Sequence, residues 1–218
     1  MKVFKVLGIA LIAGGMLIGE TACSSMTQTG KGALIGGGKG AGIGSSIGAA
    51  VGAGAGALIG NKMDKQKKEL EEQLGQQAKV EETTDANGLK AIKVTFDGGI
   101  LFPTGKYTLN EQAKADLTRF AASLKDNPNT NVQIYGFTDN TGSFAVNQRL
   151  SGERADAVLS YLANSGVSPT RLTAQGIPMA DYVASNDTAE GRAQNRRVEI
   201  YISADKEMIQ QAEAGTLK

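Results

Sequence analysis

GFTDNTGSFAVNQRLSGERADAVLSYL, residues 136–162, joins three kinds of local structure within one short stretch. Val132 and Ile134 alternate with polar neighbours and run into Gly136, which reads as a strand ending at a glycine. The polar cluster TDNTGS that follows has turn chemistry. From Ser143 onward the chain is rich in helix formers, and a long helix is predicted over 143–166 with Val146, Leu150, Ala157, Val158, Tyr161 and Leu162 turned inward. Asp139 therefore sits where a strand ends, and Arg154 sits on the following helix. Asn147, seven residues before Arg154, shares its face. Taken alone, Asp139 is equally a turn cap and Arg154 equally a solvated helix arginine.

On both sides the same texture continues. Ile92, Val94 and Phe96 alternate with Ala91, Lys93 and Thr95 as a strand. TLNEQAKADLTRFAASLKDNP opens with a capping box, Thr108 with Glu111, and sets Leu109, Ala113, Leu117, Phe120 and Leu124 on one helical face before Pro128. RLTAQGI is a short strand, and RRVEIYIS is the last, with Val198, Ile200 and Ile202 facing one way. Strands alternating with helices predict an α/β (α+β) domain over 88–203 whose sheet is covered on one face. Residues 61–87, NKMDKQKKELEEQLGQQAKVEETTDAN, are polar with sparse apolar points at Met63, Leu70 and Leu74, and read as a solvated helical linker. Residues 204–218 are left as a C-terminal tail.

The residues Gly136, Thr138, Asp139, Gly142, Asn147, Leu150, Ser151, Arg154, Ala155 and Val158, together with GRAQNRRVEIYI, resemble the OmpA-like C-terminal domain shared by peptidoglycan-associated lipoprotein and flagellar stator proteins. The resemblance implies a βαβαβ-type domain with a mixed sheet covered by helices. It also implies non-covalent binding of peptidoglycan through the free end of diaminopimelate in the stem peptide, Asp139 taking the ammonium and Arg154 the carboxylate. Thr141, Asn147 and Arg196 match further family contacts. The chemistry is apt, because a zwitterionic end calls for one anion and one planar, bidentate cation at a fixed separation. Phe137 departs from the family, which usually has histidine there; the expected consequence is a change at the pocket rim.

The N-terminal part has a different logic. MKVFKVLGIALIAGGMLIGETACSS has lysines at 2 and 5, an apolar run and then small residues, the layout of an export signal over 1–22. The segment resembles a lipoprotein signal, with TAC leading to the single cysteine, Cys23, as the lipidated residue; Glu20 departs from that pattern. Ser24 resembles the sorting rule for the outer membrane, so the implied location is the outer membrane, lipid-anchored, with the C-terminal domain in the periplasm. A short tether, 23–31, follows.

In residues 32–60 glycine recurs at 32, 36, 40, 44, 48, 52, 56 and 60, with Ile43, Ile47, Val51 and Ile59 each just before a periodic glycine. A helix this long would span about 43 Å. In water each interior glycine costs roughly 1 kcal/mol relative to alanine, whereas in lipid the glycines permit close helix packing. The segment reads as a flexible spacer in the first setting and as a membrane-associated, self-packing helix in the second. It resembles the glycine zipper of bacterial envelope lipoproteins, which implies a homo-oligomer through 32–60.

Composition closes several alternatives. The chain has no histidine and one cysteine, which removes histidine-based triads and disulfide frameworks. Net charge is +1, and loss of residues 1–22 leaves it neutral, so nucleic acid is not an expected partner. FPTGKY echoes the end of a phosphate loop, but Ile100 stands where its first glycine is required and Tyr107 replaces Ser/Thr; Gly52, Gly54 and Ala57 fit a dinucleotide fingerprint without the strand it needs. No metal or cofactor is expected. The chain reads as a non-enzymatic tether between outer membrane and wall, the alternative being a zipper oligomer or pore that the wall-binding domain positions.

Overall fold

The structure is a computed structural model and describes residues 51–103 and 105–218; the export signal, Cys23 and the glycine segment up to Ala50 lie outside them. The chain runs α1 (Ala53–Leu74), β1 (Lys79–Thr84), β2 (Lys90–Asp97), α2 (Gly98–Leu101), α3 (Glu111–Asp126), β3 (Thr130–Phe137), α4 (Phe144–Asn164), β4 (Leu172–Ile177), α5 (Ala189–Asn195), β5 (Arg197–Ala204) and α6 (Lys206–Glu213). The sheet order is β1-β2-β5-β3-β4. β3 and β4 are parallel, the other neighbours antiparallel, so the sheet is mixed.

Register explains the core. Ile92, Ile202, Val132 and Leu172 form one row across four strands, Val94, Ile200, Ile134 and Ala174 a second, and Phe96, Val198, Gly136 and Gly176 a third. These side chains, alternating along each strand, turn the same face to the helices. Phe96 meets Phe120 of α3 edge-on at 6.1 Å between centroids. The third row ends in two glycines because α4 crosses there: a Cβ on either would overlap Ser151, on its carbonyl oxygen at Gly136 and on its hydroxyl at Gly176.

That close crossing also rotates α4. Its buried residues are Asn147, Ser151, Arg154, Ala155, Val158 and Leu162. Of the expected inward set only Val158 and Leu162 are fully buried, and Val146 is exposed. The first half of the buried stripe is polar, which hydropathy alone places outward.

Three further expectations are corrected. Residues 61–74 are not a solvated linker: α1 begins inside the glycine segment and buries Ala55, Ile59, Met63, Gln66, Leu70 and Leu74. These positions recur in steps of three and four, one continuous helical stripe that a boundary at residue 60 cuts in two. α1 packs on α3, α6, β1 and β2, and Lys90 holds Asp64 at 2.8 Å. β1 is an edge strand whose charged residues disguised it as linker. Residues 204–218 are not merely a tail, since Asp205 caps α6 and Met208, Ile209 and Ala212 are buried.

The start of α3 also shifts. Its N-cap is Asn110, whose side-chain oxygen accepts from the Ala113 amide at 2.8 Å and whose amide donates to the Ile100 carbonyl at 2.7 Å. The second bond ties the cap to α2 and starts the helix beyond Thr108. Because α1 belongs to the folded unit, Leu70→Ala is expected to lower stability by about 2–5 kcal/mol in urea denaturation, the cost of a core cavity. A residue on a solvated spacer would shift it by under about 0.5 kcal/mol.

Candidate functional site

The C-terminal ends of β3 and β4 open onto a cluster built from four segments. Beyond Phe137 the chain leaves the sheet, and Thr138 and Asp139 are buried. Asp139 folds its own turn: Oδ1 accepts from the Thr141 amide at 2.9 Å and from the Thr141 hydroxyl. The Arg196 Nη1 donates to Oδ2 at 2.6 Å. A carboxylate offers about four lone-pair sites, so one on Oδ2 remains open.

Arg154 projects from the buried stripe of α4 and is 3% exposed. Its Nε donates to the Lys106 carbonyl at 3.1 Å, and its guanidinium lies 5.3 Å from the centre of the Phe102 ring. Its Nη1 is buried with no hydrogen-bond partner. A buried donor left unpaired costs roughly 1–3 kcal/mol, more when charged. Burial and then the neighbouring Arg196 charge depress the Arg154 pKa, with Asp139 acting the other way; the group stays charged at neutral pH.

The remaining expected residues divide by role. Thr141 spends its hydroxyl and amide on Asp139. Asn147 donates to the carbonyls of Thr141 at 2.7 Å and Ser143 at 3.1 Å, which pins the turn to α4. Arg196 is the C-cap of α5 rather than a strand residue, and its carbonyl accepts from the Gly98 amide at 2.6 Å. Asp139, Thr141, Asn147, Arg154 and Arg196 are thus brought together, while Cys23 lies outside the described residues. Phe137 is not at the rim. Gly136 faces α4, so Phe137 points to the other side of the sheet, buried with the Arg197 guanidinium 3.8 Å over its ring.

Sequence reasoning missed the segment 178–188. The Met179 amide donates to the Thr138 hydroxyl at 3.0 Å, and the Asn140 amide to Asn186 Oδ1 at 3.3 Å. Asn195, fully buried, accepts from the amides of Val183 and Ala184 and donates to Asn186. Arg197 donates to the Asp181 carbonyl at 2.9 Å. Met179 and Asp181 both adopt positive φ, conformations that the surroundings must enforce. The signal available was Asn195 itself, an amide between arginines in GRAQNRRVEI.

Burial works to raise the Asp139 pKa, but the Thr141 hydroxyl and amide and then Arg196 outweigh it, leaving the carboxyl below its usual value. A depressed carboxyl contributes stability above its unfolded pKa and loses it as pH falls through the folded one. The difference in urea midpoint between the wild type and Asp139→Asn is therefore expected to be constant above about pH 5 and to shrink below about pH 4.

Among the described residues no group of metal-ligating side chains is present, and no helix is long and apolar enough to cross a membrane. A cleft of about 390 Å³ lined by Lys62, Asn127, Met208 and Leu217, among others, holds none of the Asp139 cluster.

The OmpA family profile matches residues 101–196, and a glycine zipper profile matches residues 29–67. The chain is 40% identical over 134 residues to a probable lipoprotein, YiaD, of Escherichia coli, covering 59% of this chain and 61% of the relative. It is 41% identical over 113 residues to the peptidoglycan-binding protein ArfA of Mycobacterium tuberculosis, covering 52% of this chain and 35% of the relative. The chain thus spans from about a third to about three fifths of the length of these relatives. Among solved structures, the cell wall anchor of the T6SS from Pseudomonas aeruginosa matches at 30% identity with a TM-score of 0.55, covering 62% of this chain and 97% of that one.

Proposed function

The chain belongs to the OmpA family through residues 101–196, and from that premise we propose that it binds peptidoglycan non-covalently by gripping the zwitterionic end of diaminopimelate in a stem peptide. One observation carries the reading: a buried guanidinium with an unpaired Nη1 lies in the same cluster as a carboxylate with one lone pair open. Both vacancies suit a single ligand end, the ammonium on Asp139 and the carboxylate on Arg154. Arg196 and Thr141 hold Asp139 ionised and oriented, and Asn147 holds the turn. The role is binding, not catalysis; the relatives are named as a lipoprotein and a peptidoglycan-binding protein.

With Cys23 lipidated in the outer membrane, the molecule tethers that membrane to the wall from the periplasmic side. Co-sedimentation of the full-length chain with purified sacculi tests the site: the wild type pellets and Asp139→Ala with Arg154→Ala stays in solution. Undiminished pelleting of the double variant contradicts the assignment.

A second reading has its own support. α1 buries Ala55 and Ile59 on the domain, yet among the described residues a Cβ on Gly52 or Gly56, zipper glycines four apart, would meet nothing within 4 Å. The space beside Gly52 and Gly56 would admit another helix, as a zipper oligomer through 32–60 requires. Oligomer size in detergent, with and without residues 32–60, separates tether from assembly.

A further inference from the structure

Among the described residues, the exposed large apolar side chains are Leu58, Tyr107, Phe144, Val146, Tyr182 and Val183, and all but Leu58 stand on segments that border the Asp139 site. Tyr107 follows Lys106, whose carbonyl takes the Arg154 Nε–H. Phe144 and Val146 occupy the first turn of α4, directly after the Asp139 turn, and are 58% and 50% exposed. Tyr182 and Val183 lie on the segment that the Asn140–Asn186 bond holds against that turn. Scattered exposed apolar residues need no explanation, but a set gathered around one polar pocket does.

Their exposure is built in. The Val183 amide is fixed to Asn195 Oδ1 at 2.8 Å, and the Asp181 carbonyl to Arg197. With that backbone pinned and Asp181 at a φ of 50°, the segment holds Tyr182 and Val183 outward instead of folding them in. Strained backbone recurs at ligand clamps. A preformed rim also lowers the ordering cost of binding.

We propose that this rim is a second subsite that seats the part of the wall polymer flanking the gripped amino-acid end: the alanyl and lactyl methyl groups and the apolar face of the sugar ring. The inference rests on the peptidoglycan reading above. The Asn140–Asn186 bond joins the 178–188 segment to the Asp139 turn, and exposed Asn140, Thr141, Ser143 and Ser185 stand on the same segments as the apolar side chains. Aromatic and methyl surface interleaved with hydroxyls and amides complements a glycopeptide, whose apolar faces alternate with polar groups. A hydrocarbon surface would leave those polar groups unpaired.

The test compares two probes by calorimetric titration of the full-length chain in detergent, free diaminopimelate and a disaccharide tetrapeptide containing it. The variant carries Phe144→Ser, Val146→Ser, Tyr182→Ser and Val183→Ser, all at exposed positions. We expect its affinity for free diaminopimelate to stay within about twofold of wild type, while affinity for the disaccharide tetrapeptide falls about tenfold. An unchanged tetrapeptide affinity, or an equal loss for both probes, overturns the proposal. So does unchanged tetrapeptide affinity with loss of a dimer in sedimentation, or with loss of flotation on phosphatidylglycerol vesicles, results that assign the rim to a second copy or to a membrane. A wild type that binds the tetrapeptide through the rim but not free diaminopimelate would remove the diaminopimelate reading and leave the subsite standing.

Discussion

Arg154→Ala is expected to weaken binding to peptidoglycan by on the order of a hundredfold or more, because truncating one partner of a desolvated charge pair costs about 2–5 kcal/mol. Arg154→Lys retains the charge but not the planar fork, and a loss of at least about tenfold is expected for it as well. Affinity alone does not separate a ligand contact from a structural arginine; stability does. In the free protein Arg154 is buried with its Nη1 unpaired. Replacing such a group with an apolar side chain of similar length removes a desolvation cost. Arg154→Met is therefore expected to leave the urea midpoint unchanged or raise it while abolishing binding to sacculi. A structural arginine would lose both together.

Gly136→Ala is expected to cost about 3 kcal/mol or more, among the large effects that overpacking against backbone produces. A Cβ there would overlap the Ser151 carbonyl, and the obstacle is main chain, which cannot rotate away. α4 would have to lift from β3, carrying Arg154 with it, so affinity for sacculi should fall in parallel with the urea midpoint. Gly176→Ala meets Ser151 and the Gly152 amide and should behave similarly. Gly152→Ala supplies the contrast: a Cβ at this helical glycine has nothing within 4 Å. It should be neutral or stabilise by up to about 1 kcal/mol through helix propensity.

These glycines show how far the sequence could be read. The strands around Ile92, Val94, Phe96, Val132, Ile134, Val198, Ile200 and Ile202 were legible because alternation reports a buried sheet face directly. α4 was legible as a helix, but not its orientation, because contact at Gly136 and Gly176 and the polar cluster around Asp139 turn Asn147, Ser151 and Arg154 inward. α1 was hidden by composition: Ile59 and Met63 belong to one stripe, yet one lies in a glycine tract and the other in a lysine-rich segment. At the site, the motif residues were legible through family spacing. The segment 178–188 was not, since its positive φ values fall on Met179 and Asp181 where no glycine announces them. Its anchors Asn195 and Arg197 are distant from it in sequence.

Calorimetric titration of the full-length chain with diaminopimelate, pimelate and cadaverine isolates the pairing of Asp139 with Arg154. All three have a straight carbon chain; each end carries both charges in diaminopimelate, a carboxylate alone in pimelate and an ammonium alone in cadaverine. Binding of diaminopimelate, with neither pimelate nor cadaverine binding measurably and with the heat lost in Arg154→Ala and in Asp139→Ala, is the expected result. Equal binding of pimelate, or diaminopimelate binding that survives both substitutions, would contradict the zwitterion grip.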